Sequence, residues 1–154
     1  MRQNQSQTMG VIEAEIRGTI APELLDELIH QAKAAYEHAY VPYSHYPVGS
    51  AAVFSSGTIY SGCNVENSSY GLTICAERNA IFKAIARGER ELKGIAIAVP
   101  SDVFPSPCGA CRQVIREFAV DCPVILVNGQ GQVRWTSLKR LLPEAFGPEF
   151  LGLA

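Results

Sequence analysis

Between Ala21 and Tyr40, apolar residues stand at positions 24, 25, 28, 29, 32, 35, 36 and 39. That three-and-four spacing puts them on one face of a helix, with Pro22 suited to its first turn and Pro42 just past its end. The next stretch, VPYSHYPVGS, holds two prolines and a glycine and reads as a loop. SAAVFSS and TIYSGCN flank a Ser-Gly turn and predict a β-hairpin. Helical spacing returns in TICAERNAIFKAIARG, with Gly88 as its stop signal. GIAIAVP is a short apolar run that predicts a buried strand. CGACRQVIREFA predicts a further helix, opened by Pro107. PVILVN and QVRW flank a glycine-containing turn and predict a closing hairpin, and SLKRLLP predicts a last short helix.

Alternation in the middle of this order implies parallel strands joined by crossover helices, and the hairpins at either end imply antiparallel pairs. The economical arrangement is an α/β protein with a mixed five-stranded sheet covered by helices. A chain of 154 residues, 47% hydrophobic and 18% charged, has enough apolar material for one core. The formal net charge is -2 and no Lys/Arg cluster occurs, which argues against a surface for long nucleic acid. No apolar run reaches the length that crosses a bilayer. MRQNQSQT lacks the apolar centre of a secretory signal, so residues 1–20 are expected to be a tail and residues 21–154 a single domain. A cytoplasmic location is the corresponding expectation.

Five cysteines, at 63, 75, 108, 111 and 122, are an odd number in a chain without an export signal. Metal binding or catalysis is then favoured over a disulfide framework. Cys108 and Cys111 form a Cys-x-x-Cys turn that could be a redox pair, half a zinc site or two core thiols. A redox dithiol normally follows the first strand of a thioredoxin-like unit, and this one comes late. Cys75 also stands at a helix start, and helices that follow parallel strands begin at the same edge of a sheet, where three thiols can meet. Helix N-termini favour thiolates, zinc binds them, and three protein ligands leave the fourth tetrahedral position open, as catalytic zinc requires. Arg78 can offset part of the negative charge through hydrogen bonds to sulfur. Glu77 is poorly spaced to be a fourth ligand but well placed to carry a proton from water to a substrate nitrogen.

CAE at 75–77 and PCGAC at 107–111 together match the zinc-deaminase signature. With YPVGSAA, GCNVENSSYGLTICAERNAIFKA and SPCGACRQVIREF, they make the chain resemble the small, homotetrameric, three-cysteine cytidine deaminases from about Leu24 to Phe146. The resemblance implies a three-layer α/β/α sandwich and one zinc ion per subunit, held by Cys75, Cys108 and Cys111, with Glu77 as proton shuttle. It also implies that Asn64 and Glu66 bind the ribose hydroxyls, for which an amide and a carboxylate supply donors and acceptors. Tyr46 would pack on the pyrimidine where family members more often have Phe; its hydroxyl needs a partner if buried. Tyr70 and Ala76 would be further substrate contacts, and Phe146, in LLPEAF, would reach a neighbouring subunit's site. The implied reaction is hydrolysis of cytidine, and of deoxycytidine, to the uridine product and ammonia in pyrimidine salvage.

Blander readings exist for each residue. Asn64 and Glu66 alone are ordinary turn residues, Tyr46 and Phe146 alone are core aromatics, and Arg78 alone is a surface cation. A closed four-thiolate site that includes Cys63 is disfavoured because Cys63 has no near partner in sequence; Cys63 and Cys122 are expected to be small buried residues. His30, His38 and His45 fit no ligand pattern. A deaminase for another aminonucleoside, such as blasticidin S, is the nearest enzymatic alternative. An intact NVEN favours a nucleoside over a free base, and no cationic cluster offers a phosphate pocket. A non-catalytic structural-zinc assembly protein would be expected to lack Glu77 or a ligand, and none is missing.

Overall fold

The computed structural model describes residues 19–153, so the expected tail over 1–20 lies almost wholly outside the described residues. Helix α1, Pro22–Tyr36, buries Leu28, Ala32 and Ala35 along its apolar face. It ends short of the expected Tyr40. There the Tyr40 N–H donates to the Asn64 carbonyl (3.1 Å) and the Tyr40 carbonyl accepts the Glu66 N–H (2.8 Å). Two strand-like bonds to a distant segment displace the last helical turn, a tertiary gain that local spacing does not register.

The hairpin follows as β1, Gly49–Phe54, and β2, Ile59–Cys63, turning through Gly57 at φ 83°. Then come α2 (Ala76–Ala86), β3 (Leu92–Ala98), α3 (Gly109–Phe118), β4 (Pro123–Val127), β5 (Val133–Ser137) and the single turn α4 (Leu138–Leu141). Two short 3-10 turns, Tyr70–Leu72 and Pro148–Leu151, have no counterpart in the apolar spacing. The sheet order is β2-β1-β3-β4-β5, with β3 and β4 parallel and every other pair antiparallel.

Period-two alternation divides the core between two faces. Ala51, Val53, Ala96, Ala98, Ile125 and Val127 face α1. Ala52, Phe54, Ile95, Ile97, Val124 and Leu126 face α2, α3 and α4. The result is the three-layer α/β/α sandwich. Backbones approach closely on both sides: a Cβ on Gly49 would lie 2.0 Å from the Ala32 carbonyl oxygen of α1, and one on Gly62 would lie 2.6 Å from the Ala80 nitrogen of α2.

The sheet places the site through strand direction. Both β2 and β3 run antiparallel to β1, which lies between them, so they point the same way. The segments leaving β2 and β3 therefore emerge at one edge, and α2 and α3 both begin there. The strands that bring the cysteines together share a direction without being neighbours.

Candidate active site

Cys75 and Cys108 each occupy the position before the first helical residue, of α2 and α3 respectively, with extended backbone (ψ 155° and 166°). Neither side chain caps its own helix, which leaves both sulfurs free to point outward. Cys111 follows in the first turn of α3 and is buried. The three Sγ atoms lie within 4.8 Å of one another, the only such cluster of metal-binding groups among the described residues. The Cys75 and Cys108 sulfurs are 3.9 Å apart. Tetrahedral zinc at about 2.3 Å from each sulfur sets neighbouring sulfurs about 3.8 Å apart, so the donor set fits zinc in chemistry and in spacing.

Charge supports the same fit. The Cys75 thiol is pulled down to about 5, chiefly because Cys111 donates a hydrogen bond to its sulfur, with Arg78 adding a hydrogen bond and positive charge. The same bond, together with burial, pushes the Cys111 thiol upward. A thiolate sharing its neighbour's proton is a site in which a cation can replace that proton. Arg78 reaches the Cys75 Sγ (3.4 Å) and the Thr73 carbonyl (3.3 Å) from one guanidinium nitrogen. Arg112 fixes the other ligand segment, donating to the Pro107 carbonyl (2.8 Å), the Ser106 hydroxyl (2.9 Å) and the Leu141 carbonyl (2.7 Å).

Glu77, in the first turn of α2, is only 4% exposed. Burial raises its carboxyl above the ordinary value, and the negative charge of Cys75 acts in the same direction. A carboxyl that holds its proton more readily than usual suits both taking and giving one.

A cleft of about 220 Å³ collects Tyr46, Asn64, Cys75, Ala76, Glu77 and Cys108. Beside it lies a second cleft of about 280 Å³ with Tyr43, Ser44, Glu66 and Tyr70, and Thr73 borders both. The residues assigned to sugar binding are thus divided, Asn64 in the first cleft and Glu66 in the second. A larger hollow of about 900 Å³ lies at the starts of β3 and β4, beside Leu92 and Pro123, and contains none of the sequence-assigned site residues.

Both sugar-assigned side chains also hold the preceding loop. The Asn64 Oδ1 accepts the Val48 N–H (2.8 Å), and its Nδ2 donates to the Tyr46 carbonyl (2.9 Å). The Glu66 Oε2 accepts the N–H groups of Tyr43 (2.9 Å) and Ser44 (3.2 Å). A hydrogen bond from the Ser44 side chain and these two amides hold the Glu66 carboxyl below its ordinary value, against the opposing effect of partial desolvation.

Tyr46 is exposed, so the core-aromatic reading fails and its hydroxyl needs no buried partner. Tyr70 is more exposed still and meets Tyr43 edge-on at 5.6 Å between ring centroids. Phe146 lies outside both clefts: it is exposed, stacks on Phe150 at 5.4 Å, and its carbonyl accepts the Gln113 Nε2 hydrogen (3.0 Å). Cys122 is buried as expected, but Cys63 is not: its partly exposed thiol donates to the His38 carbonyl (3.3 Å). The expectation fails because Cys63 ends β2, an edge strand. Ser44, Thr73 and Arg112 were not picked out by sequence reasoning. Of these, only Arg112 carried a signal, its place directly after the Cys-x-x-Cys pair.

Residues 22–127 match the family model described as the cytidine and deoxycytidylate deaminase zinc-binding region. The chain is 50% identical over 131 residues to a cytidine deaminase of Sporosarcina psychrophila, covering 84% of this chain and 96% of that one. It is 45% identical over 130 residues to a probable cytidine deaminase of Dictyostelium discoideum, covering 84% and 88% of the two. Among solved structures, a cytidine deaminase from Burkholderia pseudomallei superposes with a TM-score of 0.75 at 50% identity, over 79% of this chain and 98% of that one.

Proposed function

The chain belongs to the cytidine and deoxycytidylate deaminase family, and from that premise we infer that it is a zinc-dependent hydrolase converting cytidine to uridine and ammonia. The observation that carries this reading is the cluster of three thiols at two helix starts, with a buried carboxyl in the same cleft. Deoxycytidine is included as a substrate of the same site. The family's similarity spans residues 22–127, which supports a single deaminase domain over 21–154.

Cys75, Cys108 and Cys111 would hold the zinc, which would supply Lewis acidity to activate water for attack at neutral pH. The Cys111 hydrogen bond favours the thiolate form of Cys75, and Arg78 adds a hydrogen bond and positive charge to the same end. Glu77 accepts a proton from the attacking water and gives it to the ring nitrogen of the pyrimidine. It next carries the second water proton to the departing amine, which leaves as ammonia. Its burial keeps bulk water from competing for those protons. Tyr46 offers a ring face to the base, while Asn64 and Glu66 address the sugar with the hydrogen-bonding capacity left after they have bound the loop. Ala76 closes the cleft beside the ligands.

Among the described residues no helix is long and apolar enough to cross a membrane. The proposed setting is the cytoplasm, in pyrimidine salvage, without a nucleic acid polymer as partner. Exposed Tyr70, Leu72, Phe146, Phe150 and Leu153 support assembly into a homotetramer in which Phe146 completes a neighbour's site and Tyr70 contacts substrate. The test is ammonia release from cytidine by zinc-loaded protein. Release in step with uridine supports the reading, and zinc-loaded protein that leaves cytidine unchanged contradicts it.

A further inference from the structure

The loop before β1 carries Tyr46, and its backbone is held from both sides of that residue. The Tyr46 carbonyl accepts the Asn64 Nδ2 hydrogen, and the Tyr46 N–H donates to the Ser44 Oγ (3.1 Å). The Ser44 N–H in turn donates to the Glu66 Oε2 (3.2 Å). Between Ser44 and Tyr46 stands His45 at φ 53°, in the left-handed region, where a residue other than glycine needs outside restraint to remain. The His45 N–H donates to the Val41 carbonyl (3.1 Å), which closes the loop on itself without fixing it to the sheet.

We propose that Ser44 is a positioning residue for substrate recognition, linking Glu66 on the sugar side to Tyr46 on the base side. This rests on the reading of Tyr46 and Glu66 as substrate contacts. Ser44 is bonded to both: its amide fixes it to the Glu66 carboxylate, and its hydroxyl fixes the Tyr46 amide two residues later. Removing the hydroxyl leaves the Ser44 amide on Glu66 but takes away the hydroxyl's own hydrogen bond to that carboxylate and frees the amide of Tyr46, so the ring and the carboxylate lose their set distance. Ser44 lines the cleft of Glu66 rather than that of the thiols and Glu77, so proton transfer is left in place.

The test is steady-state kinetics with cytidine for zinc-loaded Ser44→Ala, Ser44→Thr, Tyr46→Ala and the Ser44→Ala/Tyr46→Ala double variant, with zinc content and thermal midpoint recorded for each. Ser44→Ala is expected to raise KM about three- to tenfold, the loss of one hydrogen bond's worth of placement, with kcat within about twofold. Ser44→Thr, which retains the acceptor oxygen, is expected to restore KM. In the Tyr46→Ala background Ser44→Ala is expected to have a clearly smaller further effect, because only its hold on Glu66 is left to lose. An unchanged KM in Ser44→Ala, or the same fold increase with and without the Tyr46 ring, overturns the proposal. So does a loss of kcat that tracks lost zinc or a lowered midpoint. If Tyr46→Ala itself leaves KM unchanged, the substrate-contact reading fails and the proposal falls with it. If Tyr46→Ala raises KM and Ser44→Ala does not, the proposal alone falls.

Discussion

The sulfurs of Cys75 and Cys108 lie 3.9 Å apart although the residues open two different helices, one leaving β2 and the other leaving β3. Two strands of common direction, separated by β1, deliver both helix starts to one edge, and Cys111 joins them one turn into α3. The thiol cluster is therefore a property of sheet topology as much as of the cysteines.

Loss of a ligand should be felt first as loss of metal. In Cys108→Ser, zinc content after dialysis is expected to fall well below one per chain, and cytidine turnover to drop by at least about a hundredfold. Because Cys108 is exposed, the fold should survive the change. Parallel zinc assay and circular dichroism check this, and a fully zinc-loaded Cys108→Ser protein would contradict the assignment.

The role proposed for Arg78 is to act on the metal through Cys75. Arg78→Gln removes the hydrogen bond and positive charge that, after the Cys111 hydrogen bond, hold the Cys75 thiol low. Zinc affinity, measured by competition with a chelator, is expected to weaken about ten- to a hundredfold. Unchanged affinity would return Arg78 to a purely structural role through the Thr73 carbonyl.

Gly49 tests the packing that supports the site. A Cβ there would lie 2.0 Å from the Ala32 carbonyl oxygen, which α1 cannot move without leaving the sheet. Gly49→Ala is expected to lower stability by about 3 kcal/mol or more in denaturant titration. By contrast Gly71→Ala, where a Cβ meets nothing within 4 Å, should be nearly neutral.

Phe146 can be tested by complementation. If it serves a neighbour's site, Phe146→Ala and Glu77→Gln subunits dissociated together and reassembled should show more activity than the two proteins assembled separately. Some mixed sites then combine an intact Glu77 with an intact Phe146. Activity equal to the sum of the separate proteins would place Phe146 in its own subunit's chemistry or outside it.

Much of this was legible in the sequence because it depended on periodicity and fixed spacing. The unbroken apolar run IAIA marks a buried strand and SAAVF and VILV mark hairpin strands, and the structure divides the residues of all three between the two layers of helices. CAE and PCGAC carried the three cysteines that the fold brings together and the buried Glu77 beside them. What stayed hidden depended on contacts between distant segments. The end of α1 is decided by the bonds of Tyr40 to Asn64 and Glu66, which no local pattern encodes. The partial exposure of Cys63 follows from the edge position of β2. Ser44 looked like any loop serine, and its bonds to Glu66 and Tyr46 appear only once the NVEN segment folds back against that loop.

The most direct test of the account is ammonia release from cytidine by the parent and by Glu77→Gln, with zinc measured in both. Gln preserves the size of a buried side chain and removes only its capacity to exchange a proton. About one zinc per chain is expected in each protein, together with a fall in turnover of about a hundredfold or more in Glu77→Gln. A zinc-loaded Glu77→Gln protein that deaminates cytidine as fast as the parent would contradict the account.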